Sequence, residues 1–351
     1  MNIQKKYFGV LKNNQDVFKY TLSNDKGLEI SILNYGGIIT DIIVPDRNGY
    51  KENITLSFNN IKDYEEKSPH FGCITGRVAG RISNGEFSID NKKYKLCKND
   101  NNACIHGGET GLSKRVWNVR KMINDKDIGI ELSYFSPHME DGFPGNVDFK
   151  VLYTLNNNNE FTIEYYGNTD EKTILNLTNH AYFNLEGAGE GLILDHILKV
   201  NSKYYVPVDN ELIPLGHLEK IDNTPLDFNE GKKIKQAVES KYIQVQTVGG
   251  IDHAFVLKGL SDKPNIVVSN EKTGRYMKVK TDQQVAVIYT SCQLDNNLIL
   301  ANGLKTKRYG GLCLETQDFP DAVNQKNFRT NYYNKQKPYY AKTIFEFGSI
   351  V

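Results

Sequence analysis

At 351 residues the chain is long enough to bury a substantial core, either as one large β domain or as two smaller units. Its 43 Lys and Arg nearly balance 42 Asp and Glu, leaving a formal charge of +1, so no global field favours nucleic acid or an anionic membrane surface. No stretch reaches the about 20 apolar residues of a membrane span, the N-terminal MNIQKKYFGVLKNNQ lacks an apolar signal core, and the five cysteines are scattered without C-x-x-C spacing, so a cytoplasmic protein with reduced thiols is expected.

Along the chain the dominant signal is alternation of apolar and polar residues. It begins at 28–33 and returns at 130–134. It is clearest at 147–155, where Val147, Phe149, Val151, Tyr153 and Leu155 share one face, and it recurs at 161–166, 276–281 and 343–347. The abundance of Tyr and Phe suits pleated surfaces. Turn chemistry falls between such segments: Asp25-Lys26-Gly27 and 156–159 are polar breaks, and Asn48-Gly49, Asn84-Gly85 and Asn302-Gly303 each offer the pair of positive φ values that a tight hairpin needs. Only 59–67 and 230–241 read as helical, the latter with Ile234, Ala237 and Val238 on one side, which disfavours a parallel βαβ sheet. There is no internal repeat, linker or composition shift. The expected fold is therefore all-β, a large antiparallel β-sandwich with few short helices, formed by one domain spanning 1–351.

Four clusters place polar or ionisable residues where strands would favour apolar ones, a local conflict that marks functional sites. In FGCITGRVAGRI (71–82) the glycines match neither a phosphate loop nor G-x-G-x-x-G, and taken alone Arg77 and Arg81 read as surface or structural residues. In IHGGETG (105–111), Gly107 and Gly108 let the backbone turn sharply beside His106 and approach a ligand. NLTNHAYFNL (176–185) sets Asn176, Asn179, His180 and Asn184 among aromatic and aliphatic residues, equipment suited to a sugar's hydroxyls and C–H faces. GGIDHAFVL (249–257) and LCLETQDFPDA (312–322) carry Asp252 and Glu315 inside apolar runs, where a carboxylate is either functional or tied into a strand end or an ion pair. His106, His180 and His253 with Asp252 could in principle hold a metal, but no H-E-x-x-H or comparable spacing is present, and no metal or other cofactor is expected. His70, His138, His196 and His217 read as solvent or packing residues.

Taken in order, GRVAGRI, IHGG, DGFPGN (141–146), NLTNHAYFNL, NTPLDF (223–228), GGIDHAFVL and LETQDFPDA resemble the signature segments of the aldose 1-epimerase (galactose mutarotase) family over nearly the whole length. The resemblance implies that family's antiparallel sandwich with a concave sugar site, and an isomerase, without cofactors, that interconverts the α and β anomers of free hexoses. It implies His180 as catalytic acid, Glu315 as catalytic base, and Arg81, His106, Asp252 and Gln283 as holders of sugar hydroxyls. Three positions depart from the family pattern: TDQQVAVIYT lacks Pro-Gly after Gln283, Gly80 stands where Asn commonly precedes the arginine, and Ser291-Cys292 replaces Gly-Asn. The partner expected is a small sugar, not nucleic acid or membrane, with the chain a monomer or weak homodimer. The alternatives are a non-catalytic sugar-binding or sensing protein on the same fold, and a glycosidase or lyase using Glu315 with Asp252 as paired carboxylates. Since an imidazole ordinarily titrates near ~6.5, His180 as an acid is expected to need a carboxylate, Glu315 or Asp252, that favours its charged form.

Overall fold

Alternation becomes architecture in the long strands. In the computed structural model, which describes residues 1–350, the 147–155 pattern lies in the strand Val147–Asn156. The side chains of Val147, Phe149, Val151, Tyr153 and Leu155 are all at most 1% exposed, as a period of two demands of a strand with one face on the core. The other alternating segments form Glu29–Leu33, Asp127–Ser136, Glu160–Thr169, Arg275–Thr281 and Tyr339–Ser349.

Three larger antiparallel sheets result. A five-stranded meander is built from residues 2–53. A nine-stranded sheet runs in the order Asn118–Ile123, Asp127–Ser136, Val147–Asn156, Glu160–Thr169, Tyr339–Ser349, Arg275–Thr281, Ile266–Ser269, Ile197–Val200 and Lys232–Lys233. The six-stranded sheet runs Tyr182–Phe183, Leu312–Gln317, Val285–Tyr289, Asp252–Val256, Tyr204–Val206 and Glu219–Lys220. One buried cluster draws on all three, with Ile30 and Ile42 from the first, Val151 and Phe161 from the second, and Ile288 and Leu314 from the third. The C-terminal strand pairs with Glu160–Thr169 on one side and Arg275–Thr281 on the other, which stitches distant parts of the sequence into one sheet.

Two local expectations need correction. Asn84 and Gly85 do adopt the double positive φ, at 58° and 59°, but at the other two turns only the glycine does, Gly49 at 84° and Gly303 at 83°. Those loops close through Gly49 N–H to the Asp46 carbonyl and Gly303 N–H to the Leu300 carbonyl, a geometry in which the Asn need not leave the ordinary region. The expected helix at 230–241 shrinks to Lys235–Val238, because Lys232 and Lys233 extend the nine-stranded sheet by pairing with Leu198 and Ile197. The 59–67 helix forms as Ile61–Lys67, capped by the Asn60 side chain, which accepts from the Asp63 N–H. A further helix, Ile243–Val248, ends on Gly249 at φ 70° and had no periodic signal long enough to announce it.

Candidate active site

The six-stranded sheet supplies the floor of a cavity of about 440 Å³. Cross-strand register puts Tyr182, Cys313, Tyr289 and Asp252 in one row, and Glu315 lies two residues beyond Cys313, directly opposite Val287. Because side chains two apart share a face, Glu315 and Asp252 emerge on the same side of the sheet. Glu315 sits mid-strand in Leu312–Gln317, where every residue is buried.

His180 is delivered by the short connection between Thr178–Asn179 and Tyr182–Phe183. Its backbone is fixed on both sides: its N–H donates to the Cys73 carbonyl and its carbonyl accepts from Gly72 N–H. This brings His180 Nε2 to 3.5 Å from Glu315 Oε1, with both side chains about 95% buried. The neighbouring asparagines build the connection and do not line the cavity. Asn179 donates to the Gly72 carbonyl and accepts from Ala181 N–H, Asn184 donates to the carbonyls of Gly191 and Gly310, and Asn176 accepts from Asp318 N–H.

A second wall comes from the Arg81–Ile82 and Cys104–Ile105 strand pair. Arg81 donates through Nε to Asp100 at 2.7 Å, and both line the cavity. His106 follows at φ 54° and is held by exchange with Gly80, whose N–H donates to His106 Nδ1 and whose carbonyl accepts from His106 N–H. Gly107, at φ 87°, packs so tightly that a Cβ would lie 1.8 Å from the Gly76 carbonyl oxygen, so only glycine lets the chain carry His106 into this position. Arg77, by contrast, is structural: its guanidinium serves Ser136 and the carbonyls of Ser136, Pro137, Pro144 and Gly145.

Of the residues proposed from sequence, His180, Glu315, Arg81, His106 and Asp252 thus meet in one cavity. Gln283 is not among the lining residues. It lies in the turn between Arg275–Thr281 and Val285–Tyr289, where its side chain donates to Asp282, and the departure from Pro-Gly at that turn coincides with its exclusion. Gly80 does line the cavity, at φ 71°. Ser291 and Cys292 do not, their side chains being engaged with Gly311 N–H and the Val248 carbonyl. His253 turns away to Gln244, so the histidine set imagined for a metal does not assemble. Among the described residues, His106, His180 and Glu315 do converge, with ligand atoms within 4.8 Å of one another. Among the lining residues not proposed from the sequence are the aromatic rings of His70 and Tyr289. His70 read as a solvent or packing residue, and Tyr289 sits in TDQQVAVIYT, where only Gln283 was singled out; a lone His or Tyr in a strand-rich chain carries no signal of its own.

The electrostatics reverse one expectation. Burial, with His70 adding to it, drives the His180 pKa down to about 3, and no carboxylate lifts it. Burial also pushes Glu315 well above the carboxylate range, with the negative charge of Asp252 adding to the effect and Arg81 opposing it. Asp252 itself rises to about 6, again chiefly through burial. His106 falls well below its ordinary value for the same reason. Burial disfavours the charged forms of both groups and opposes the attraction between Glu315 and His180 at 3.5 Å, drawing the proton they share toward the carboxyl oxygen.

Comparison with known proteins points the same way. The family model described as "Aldose 1-epimerase" matches residues 19–346. The chain is 36% identical over 333 residues to "Galactose mutarotase" of Bos taurus, covering 95% of this chain and 94% of that protein. It is 35% identical to "Aldose 1-epimerase" of Haemophilus influenzae, covering 93% and 94%. Among solved structures, galactose 1-epimerase from Lactobacillus acidophilus NCFM superposes with a TM-score of 0.88 at 28% identity, over 99% of both chains. No helix among the described residues is long and apolar enough to cross a membrane.

Proposed function

The chain belongs to the aldose 1-epimerase family and is an isomerase that interconverts sugar anomers, and on that premise we propose that Glu315 and His180 perform the two proton transfers on a free hexose such as glucose or galactose. The observation that carries this reading is the 3.5 Å approach of His180 Nε2 to Glu315 Oε1 at the wall of an open cavity.

Ring opening removes the proton from the anomeric hydroxyl at O1, forms the C1=O bond, breaks C1–O5 and delivers a proton to O5. Glu315 as carboxylate accepts the first proton and His180 as imidazolium supplies the second. After opening, Glu315 carries the proton and His180 is neutral. Rotation about C1–C2 then presents the other aldehyde face, and closure runs the same transfers backwards, with His180 taking the O5 proton and Glu315 returning one to O1. The pair therefore holds one proton in total when cyclic sugar binds and one when the open chain is bound. Burial favours the arrangement that belongs to the open-chain stage, proton on Glu315. Cyclic substrate requires the proton to cross to His180, and hydrogen bonds from the sugar hydroxyls together with the Arg81 charge favour the ionised Glu315 that this needs.

Activity is set by a pair carrying a single proton, and this fixes its pH dependence. Above the raised pKa of Glu315 the pair is empty and no acid remains. Toward pH 3, where His180 also takes a proton, no base remains. We expect kcat to stay level as pH falls through about 6.5, the ordinary imidazole value, while protonation of Asp252, whose pKa rises to about 6, appears in KM. The acid limb of kcat should begin only nearer the lowered His180 value. A kcat profile measured by anomer-exchange NMR with an acid limb centred on the ordinary value would contradict the pairing.

Arg81, His106 and Asp252 are proposed to hold hydroxyls away from the reacting bonds. Since they contact sugar in ground and transition states alike, Arg81→Ala and His106→Asn should raise KM by about tenfold or more with a smaller loss in kcat. Losses confined to kcat in steady-state polarimetry would move these residues into the proton-transfer machinery.

Polarimetry of freshly dissolved α-glucose and α-galactose tests the activity itself: catalysed equilibration is expected, and an unchanged rate would leave only a sugar-binding protein. The cytoplasm as compartment and a monomer or weak homodimer complete the proposal.

A further inference from the structure

The imidazole proposed as acid is not held as such groups usually are. An imidazole that must present one nitrogen to a reacting atom is commonly oriented through the other, by donating to a carboxylate or carbonyl. His180 Nδ1 is buried and has no hydrogen-bond partner among the protein's own atoms. What surrounds the ring instead is aromatic. Tyr182 stacks on it at 5.0 Å between centroids and 23° between planes, and His70 stacks at 5.8 Å and 24°. His106 meets it edge-on at 5.1 Å, and Tyr289 edge-on at 6.4 Å.

The two stacking rings are themselves linked. The Tyr182 hydroxyl donates to the carbonyl of Pro69, the residue before His70, at 2.9 Å. His70 sits at φ 66°, a left-handed conformation uncommon for a residue with a Cβ, and its Nδ1 lies 3.7 Å from Cys73 Sγ. Cys73 supplies the carbonyl that receives the His180 N–H. The segment 69–73 thus grips the backbone of His180 at one end and offers its ring a stacking partner at the other.

We infer that His70 is a positioning residue for the reaction: together with Tyr182 it sets the plane of the His180 imidazole by stacking, in place of the missing hydrogen bond at Nδ1. The inference rests on the proposed role of His180 and extends it to a residue without a motif. Stacking fixes the tilt of a ring while leaving both nitrogens free of fixed partners. Nδ1 carries a proton in both states of a ring that gives and takes one at Nε2, so what the reaction needs held is the plane of the ring, and stacking holds it.

The role makes ring shape the property that matters. Small misplacement of an acid–base group can cost up to about 100-fold. His70→Ala should therefore lower kcat by about 10- to 100-fold with KM nearly unchanged. His70→Phe, which keeps a flat ring but no nitrogen, should restore kcat to within about threefold of wild type. His70→Leu, which keeps bulk without a ring, should resemble His70→Ala and serves in its place if that variant fails to fold, as judged by circular dichroism and Tm. Wild-type kcat in both His70→Ala and His70→Leu would overturn the inference. So would a His70→Phe as impaired as those two, or an effect carried by KM, since either outcome would mean that the His70 nitrogens contact the sugar. Wild type and His180→Asn, run alongside, separate the two levels. If wild type fails to speed anomer equilibration, or His180→Asn matches it, the catalytic reading fails. If both behave as proposed and only the His70 series departs, the positioning role alone is lost.

Discussion

Glu315→Gln is expected to lower kcat by about 10²- to 10⁴-fold, the range a positioned acid–base group contributes, while KM moves little. The amide keeps the volume and the hydrogen-bonding reach of the carboxylate but has no site to accept a proton at neutral pH. The substitution also removes a buried acidic group whose pKa the negative charge of Asp252 raises, leaving Asp252 with Arg81 and Asp100 as its charged neighbours. Folding should therefore be unharmed, and a buried charge is not left stranded, which distinguishes this change from breaking an ordinary internal ion pair. Anomer-exchange NMR reports the turnover and sugar titration the binding. A Glu315→Gln protein that turns over at the wild-type rate would remove Glu315 from the mechanism.

The second large effect is that of His180→Asn, for which a loss of about 10²- to 10⁴-fold in kcat is expected by the same argument. Asn can hydrogen-bond to O5 but cannot donate a full proton to it. The informative measurement is the double substitution. Glu315 and His180 share one proton and act in a single event, so once either is gone the other has no partner, and the double variant should be no slower than the worse single variant within a small factor. Multiplying losses would mean that the two groups act in separate steps. The contrast with Arg81→Ala, whose loss is expected in KM, lets one kinetic series sort proton transfer from hydroxyl binding.

Several features were legible in the residues because they obey local rules. Alternation at 147–155 demands a strand with one buried face, and that strand formed with the expected face on the core. The helical reading at 59–67 also rested on a local pattern, and the helix forms as Ile61–Lys67. The ordered motif segments pointed to the family and to five of the six residues offered for the site. Where local rules compete with neighbours, expectation failed. Lys232 and Lys233 were drawn from a helical pattern into a sheet edge because Ile197 and Leu198 offered unpaired backbone there. The asparagines of NLTNHAYFNL, read as sugar contacts, satisfy buried carbonyls and amide N–H groups of the connection that holds His180.

Period and motif are properties of the chain alone, and they carry the all-β class, most of the long strands and the two residues proposed for proton transfer. Packing sets the direction in which the pKa values of those residues move, leaves Gln283 outside the cavity and stacks His70 on His180. Those outcomes depend on desolvation and on contacts between segments more than 100 positions apart along the chain, and neither quantity exists until the sheets have packed.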